Sequence, residues 1–373
     1  MESKKRIIFA ISTSIAGGAQ IYLYNIVEYI KGEYSVMVLC PEGFFYDKVK
    51  RLEDIDVVKQ DISINCVKAL RKIVAEEAEK HDKVYVNAHL MGTGLWMERA
   101  IKNLPNVVLS ITAHNKVIYD NISLARRIVY PLCIKFMSKR IDGFIAVSQE
   151  IADSVIEYTG RGCEYIPSSV PIKGKPKDVA AYNPDGKEVR VGFVGRVSLP
   201  KNPVRFVETA ALISEVMPNV QFIIVGDGEL RKEMEQKVRE LKMDDKFTFL
   251  GFLPNPADEM RKLDVLLLTS DHEGTPMVLL EAMSYGLPVV STRVGGIPTV
   301  IENWKDGVLA EDFAPATIAK DVVALLSDKE KYVAISRSAY HKIREEFSYE
   351  NNIKKYMEIV LFGNNIPVGG GKS

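Results

Sequence analysis

No stretch of the 373 residues approaches the run of roughly 20 apolar side chains that crosses a bilayer. Net charge is lacking too. The chain's 49 Lys and Arg balance 49 Asp and Glu, which argues against a nucleic-acid binder. Cysteine is scarce. Cys40, Cys66, Cys133 and Cys163 show no CxxC pairing and no metal-like spacing, so they read as reduced thiols of a cytoplasmic protein. There is no HExxH, no nucleophile elbow with Ser, His and Asp in order, and no DxD run suited to holding Mg2+ on a phosphate. Glu53-Asp54-Ile55-Asp56 lies in an unpromising stretch for that task. A full GxGxxG is missing, and Cys40-Pro41 stand where an acidic residue would meet a ribose, so a dinucleotide cofactor is a weak reading. The charged start, Met1 to Arg6, leads into Ile7–Ile11, a run too short for a secretory leader and better read as a first strand.

What is present suits two domains of ordinary size, with 47% hydrophobic and 26% charged residues. Residues 1–177 hold 25 Lys and Arg against 20 Asp and Glu, and the remainder 24 against 29. A mildly basic front half suits an anionic acceptor or membrane surface, or is ordinary scatter. Apolar β-branched runs alternate with amphipathic stretches. Strands are predicted at Arg6–Ser12, Tyr34–Cys40, Lys83–Asn87, Val107–Thr112 and Gly143–Ser148. Helices are predicted at Ile21–Lys31, Asp47–Glu53, Val67–His81, Ser123–Lys139 and Gln149–Thr159. Pro167, Pro171, Pro176 and Pro184 then break the pattern, and residues 171–187 are predicted to link domains 1–170 and 188–346. The alternation restarts at Val189–Val194. A last amphipathic helix at about 347–362 is predicted to pack back on the first domain, with 363–373 as a flexible tail. The fold class predicted is α/β, two Rossmann-like doubly wound parallel sheets, with the active site in the cleft between them.

The densest cluster is Ser270-Asp271-His272-Glu273-Gly274-Thr275-Pro276-Met277, ending in Glu281. It follows an apolar strand. Thr275 can N-cap and Pro276 suits a first turn, so the amides near Met277 and Val278 form an anion site helped by the helix dipole. Glu281 lies one turn in, where a carboxylate can meet the hydroxyl of a ribose; a capped helix with a surface Glu is the plainer alternative. Gly195 and Arg196 end a second strand and Lys201 follows, two cations able to neutralise a diphosphate leaving group. Singly, either cation is more often a surface residue. Gly17-Gly18 lets backbone approach a diphosphate, and Gly226-Asp227-Gly228 is an ordinary turn taken alone. His89 and His114 both follow front-half strands, and either could touch a sugar, though a lone loop histidine is more often structural. The terminal Gly-Gly-Gly-Lys-Ser has no strand before it and no helix after it, so it reads as tail.

EGTPMVLLEAMSYGLPVVST, which sets Glu273 and Glu281 eight residues apart, resembles the signature of glycosyltransferase family 4, the retaining group 1 enzymes of the GT-B fold. GFVGRVSLPKN, VGDGELRKEM, FLGFLP and Val294–Pro298 match the same family in order and spacing. The resemblance covers most of the chain and is specific over 190–310. It implies that Arg196 and Lys201 hold a donor diphosphate and that Glu281 binds the donor ribose. It implies that Glu273, with the backbone of Gly274, Thr275, Pro276, Met277 and Val278, grips sugar hydroxyls and the distal phosphate. By the same resemblance Phe252 and Leu253 flank the base, with Gly195 and Gly226 at the donor. Gly17 and Gly18 close over the phosphates, and His114 reaches the donor sugar. Two positions depart from the family pattern: Pro167-Ser168-Ser169 replaces Pro-Asn-Gly, and Thr299 stands where an acid often follows Gly-Gly-x-Pro.

With no evident enzymic nucleophile, the expected reaction is front-face transfer with retention from a nucleotide diphosphate sugar, a UDP-sugar favoured. It needs no metal, because side-chain cations replace Mg2+, and no cofactor. The expected acceptor is a glycan or a lipid-linked glycan of cell-surface polysaccharide synthesis. Helix Ser123–Lys139, with Arg126, Arg127, Lys135, Lys139 and Arg140, reads first as packing on the sheet and second as a peripheral contact with the inner face of the membrane. Two other functions fit the residues less well. A sugar-nucleotide epimerase or hydrolase would turn over donor without acceptor product. A non-catalytic nucleotide-sugar-binding protein would bind donor with no turnover at all.

Overall fold

The computed structural model describes residues 4–117, 134–172, 176–179, 182 and 188–364. The chain divides into two compact units, Met1–Ser168 with Glu350–Ser373, and Ser169–Tyr349.

In the first unit β1 (Arg6–Ile11), β2 (Ser35–Cys40), β3 (Ile55–Lys59), β4 (Val84–His89), β5 (Val107–Ala113), β6 (Gly143–Ala146) and β7 (Glu164–Tyr165) form one sheet in the order β3-β2-β1-β4-β5-β6-β7. Every pairing is parallel. Ile7 to Ile11 are fully buried, the unbroken apolar run expected of a parallel strand covered on both faces. β3, β7 and the helix Met91–Ile101 are absent from the sequence reading. β3 is a half-exposed edge strand with Asp and Lys in it, and Met91–Ile101 contains two glycines that weaken its helical signal. The first helix starts at Gly18, three residues before the predicted Ile21, and the second runs Phe44–Val49, not Asp47–Glu53. Asp56, on β3, joins Glu77 in pairing with the buried Arg6.

In the second unit β8 (Val189–Val194), β9 (Val220–Val225), β10 (Phe247–Gly251), β11 (Val265–Leu268), β12 (Val289–Thr292) and β13 (Val308–Ala310) take the order β10-β9-β8-β11-β12-β13, again all parallel. Phe206, Phe222 and Phe247 meet edge-on or stacked in its core. The proline-rich stretch read as a linker is anchored here at its described residues. Tyr182 stacks on Tyr332 with ring centroids 3.8 Å apart and donates to the Leu326 carbonyl at 2.7 Å.

The helix Tyr349–Phe362 belongs to the first unit. The tail read as flexible from 363 is held at its first two residues. The Asn364 side chain donates to Phe144 O at 2.7 Å and accepts from Phe144 N at 3.0 Å, pairing β6 as a strand would. Residues 365–373 lie outside the described residues, and so do residues 118–133, which take in 123–133 of the predicted basic helix Ser123–Lys139 and Cys133. Cys40, Cys66 and Cys163 are free. Among the described residues no helix is long and apolar enough to cross a membrane.

Candidate active site

In a doubly wound sheet, loops leave the carboxyl ends of two neighbouring strands in opposite directions at one point, and a crevice opens there. In the second unit that point lies between β8 and β11, which pair at Val265–Val191. The loop after β8 carries Gly195, Arg196 and Lys201, and the loop after β11 carries Ser270 to Pro276. Topology thus joins two clusters that stand about 70 residues apart in sequence.

Lys201 closes a short 3-10 turn, Leu199–Lys201, and Asn202 follows with a left-handed φ of 45°. Asn202 then caps the helix Pro203–Val216 by accepting from Arg205 N at 3.0 Å. Thr269 Oγ1 lies 3.2 Å from the Lys201 carbonyl and 3.1 Å from that of Asn202. Asp271 accepts from Asn202 Nδ2 at 3.0 Å and from Arg205 Nη1 at 2.7 Å. Lys201 is therefore fixed from both sides, and its ammonium pairs with Glu273 Oε1, which also accepts from Ser270 Oγ at 2.6 Å. The Lys201 side chain is 22% exposed and that of Glu273 8%, so this pair sits in a largely desolvated pocket. Arg196 differs. It is 56% exposed and reaches Glu229 Oε2 at 3.2 Å. Such an exposed pair contributes little to stability, so Arg196 exchanges partners easily.

The glycines around these residues are there for close approach. A Cβ on Gly226 would lie 1.8 Å from the Gly195 carbonyl, and its φ is 142°. Its amide donates to Gly251 O at 2.8 Å, which aligns the ends of β8, β9 and β10. Exposed Phe252 and half-buried Leu253 follow β10. A Cβ on Gly295 would lie 1.7 Å from the Glu273 carbonyl at a φ of 54°. Gly296 N donates to Gly274 O at 2.9 Å. The stretch Val294–Pro298 is thus the floor on which the Glu273 loop rests.

The helix start needs one correction. Thr275 does not cap. Pro276 is the N-cap residue, extended, with no side-chain cap bond, and its carbonyl takes the Leu279 amide at 3.0 Å. The helix Met277–Ser284 begins one residue after Pro276, which leaves Thr275 outside capping position. The Met277 and Val278 amides thereby lack an intrahelical partner, the geometry of an anion site. Glu281 stands one turn along on the side of Met277, half-buried, near Tyr285, whose hydroxyl is pushed up by burial and then by Glu281.

In the first unit the corresponding strand ends are those of β1 and β4. Gly17 is the N-cap of the helix Gly18–Ile30. The side chain of Gln20 folds back over it and donates to Thr13 O at 3.2 Å. The two histidines are not separate. His89 is the last residue of β4 and fully buried, and its Nδ1 lies 2.9 Å from His114 Nε2. His89 Nε2 lies 3.0 Å from the hydroxyl of Tyr356, on the last helix. Burial pushes His89 well below its ordinary value, with His114 adding to this, and burial pushes His114 down to about 4. Tyr22 packs edge-on to His114, and no carboxylate contributes to either shift. Unfolded, His114 takes its proton near pH 6.5; folded, only near 4. The stability this lends is complete above pH 6.5 and is lost as pH falls toward 4. His114→Gln should remove about one proton of pH dependence from the denaturant midpoint in that window; an unchanged slope would show that the folded ring titrates normally.

Asp271, Arg205, Glu229 and Tyr356 were not singled out from sequence. Asp271 stood inside the quoted cluster and was passed over for Glu273. Tyr356 is 267 residues from His89, and no spacing rule reaches that far.

Two all-parallel, doubly wound sheets in tandem define a protein of Rossmann-like domains of the GT-B class. Residues 174–342 match the glycosyl transferases group 1, and residues 16–172 match glycosyltransferase family 4. The chain belongs to this glycosyltransferase family. It is 29% identical over 304 residues, 76% of both chains, to a 2-deoxystreptamine glucosyltransferase of Streptomyces kanamyceticus. To the UDP-Gal:alpha-D-GlcNAc-diphosphoundecaprenol alpha-1,3-galactosyltransferase of Escherichia coli it is 25% identical over 353 residues, 88% of this chain and 89% of that one. Its fold is similar to that of Anabaena HepE in complex with UDP, with a TM-score of 0.79 and 21% identity over 95% of this chain and 99% of the other.

Proposed function

We propose that this chain transfers a hexose or N-acetylhexosamine from a UDP-sugar to a glycan or lipid-linked acceptor, with retention at the anomeric carbon and without a metal. The observation that carries this reading is the Lys201–Glu273 pair at the β8/β11 switch point, beside the uncapped helix start at Met277. Lys201, Arg196 and the Met277 and Val278 amides supply positive potential for a diphosphate. Glu273 and Glu281 would accept from hydroxyls at the two ends of such a ligand. Phe252 and Leu253 would flank the base.

In the reaction the bond from the anomeric carbon to the diphosphate oxygen breaks while the acceptor oxygen bonds to the same face. The acceptor's proton goes to the departing phosphate oxygen. The protein stabilises charge on the leaving group and holds both substrates in place. The Escherichia coli relative is named for a diphosphoundecaprenol-linked acceptor and UDP-Gal, and HepE for a complex with UDP. Both names carry UDP, which supports a UDP donor, and the Escherichia coli name supports a lipid-linked glycan as acceptor.

A thermal-shift screen of nucleotide sugars should single out one base and sugar, because a ligand of the folded state raises apparent stability. With that donor, product should form at full rate in EDTA and carry the donor's anomeric configuration. Activity lost in EDTA and restored by Mg2+, or an inverted product, would overturn the metal-free retaining reading.

A further inference from the structure

The two loops that bring Lys201 to Glu273 are also tied to each other by groups that the proposed reaction does not use. At the centre is Asp271, two residues before Glu273. Its Oδ2 accepts from Asn202 Nδ2 at 3.0 Å, its Oδ1 accepts from Arg205 Nη1 at 2.7 Å, and its amide donates to Pro200 O at 2.8 Å. Asn202 follows Lys201 directly, in a left-handed turn with φ 45° and ψ 67°. Its Oδ1 is taken by Arg205 N at 3.0 Å, the cap of the helix Pro203–Val216, so its Nδ2 is the group that faces Asp271. Arg205 is 15% exposed. Its Nη1 also donates to Thr269 O at 2.9 Å, and its guanidinium lies 5.1 Å from the centre of the Phe313 ring. Hydrogen-bond direction is therefore fixed on both sides of position 271. Asn202 and Arg205 each present a donor, and the residue between them must accept twice, as a carboxylate does.

We propose that Asp271, with Asn202 and Arg205, positions Lys201: it holds the turn at Asn202, and that turn aims the Lys201 ammonium at a bound nucleoside diphosphate. The three are positioning residues, and Lys201 meets the ligand. The proposal rests on the donor-site reading of Lys201 and deepens it. Charge alone gives Asp271 no place there. A carboxylate beside an anion site opposes the anion, and this one is 36% exposed, so its contribution to binding is through geometry. Misplacing a cation by about 1 Å is enough to weaken its grip on a diphosphate.

Calorimetric titration of the full chain with UDP, and with GDP and ADP alongside, tests this. Stoichiometry reports the folded fraction and Kd reports the site. A residue that only supports the fold lowers the thermal midpoint and the stoichiometry and leaves Kd alone. Asp271→Asn removes a negative charge, which by itself tightens binding of a diphosphate. The expected result is the opposite, a loss of about tenfold in affinity, because the amide cannot accept from both neighbours. Asp271→Asn/Asn202→Asp exchanges the two groups. The carboxylate at 202 then caps the helix and accepts from the amide at 271, whose oxygen accepts from Arg205, and aspartate tolerates the left-handed turn. Affinity should return to within about threefold of wild type. In Lys201→Ala, Asp271→Asn should cost nothing further. Asn202→Gly keeps the turn, which suits glycine, and removes only the tie to Asp271; it should lose about threefold. An unchanged Kd in Asn202→Gly overturns the proposal even if Asp271→Asn does not fold. So does an unchanged or tighter Kd in folded Asp271→Asn, an equal loss with and without Lys201, or an exchange that recovers nothing. Each of these leaves the donor site standing. If none of the three nucleoside diphosphates binds the wild type, the donor-site reading falls and the positioning role with it.

Discussion

Lys201→Ala should lower kcat/KM for transfer by about a thousandfold while the protein stays folded. The loss exceeds that of one cation because of what remains. Glu273, 8% exposed and bonded through Oε1 to Lys201 and Ser270, would keep a desolvated negative charge with no countercharge. That charge would repel a diphosphate at the proposed site. Breaking a pair this far out of water also costs on the order of 3 kcal/mol in stability, so thermal midpoints must accompany the rates. The double variant Lys201→Ala/Glu273→Gln separates the two effects. It should recover about tenfold in nucleoside diphosphate affinity over the single variant, although it has lost a second site residue. Near-wild-type turnover in Lys201→Ala ends the proposed mechanism. Arg196→Ala should cost less at equilibrium and alter stability hardly at all, since the guanidinium is 56% exposed. Its loss should fall mainly on kcat, where charge on the departing diphosphate peaks.

Gly295→Ala should abolish measurable donor binding through the backbone alone. The added methyl would stand 1.7 Å from the Glu273 carbonyl, at a φ of 54° that side chains other than glycine rarely adopt. The obstacle is backbone, so no rotamer change relieves it. The Glu273 loop must move, and the Lys201 contact and the Gly296–Gly274 hydrogen bond move with it. A destabilisation of about 2–3 kcal/mol is expected, together with loss of the thermal shift that donor produces. Gly92→Ala, on a helix with nothing within 4 Å of the added carbon, serves as the control that should change neither. Retained donor binding in Gly295→Ala would mean that the loop's position is not what the site depends on.

The sequence was most legible where local chemistry and tertiary position agree. Val189–Val194 and Gln149–Thr159 lie where their patterns put them. Each is an apolar run or amphipathic stretch bounded by a capping or breaking residue. Strands β3 and β13 were missed because an edge strand, or one of three residues, carries too little apolar alternation to be read alone. The helix at Gly18 starts earlier than its periodicity because its first turn is Gly-Ala-Gln, which burial pattern does not mark. At the candidate site, residue types and motif order single out Arg196, Lys201, Glu273 and Glu281. Nothing in their spacing says that Lys201 faces Glu273 while Arg196 turns to Glu229.

By itself, then, the sequence determined the alternation of strands and helices, two tandem parallel sheets, and a short list of candidate residues for the proposed donor site. These follow from periodicity and from the few residue types with the needed charge or freedom, which are properties of neighbours in the chain. Only the tertiary structure decided which charges pair, which glycines carry a loop's weight, and that His89 stands between His114 and Tyr356. Those depend on contacts between residues far apart in the chain, such as His89 with His114 and Tyr356 with Asn87, which meet only once the strands and helices have packed.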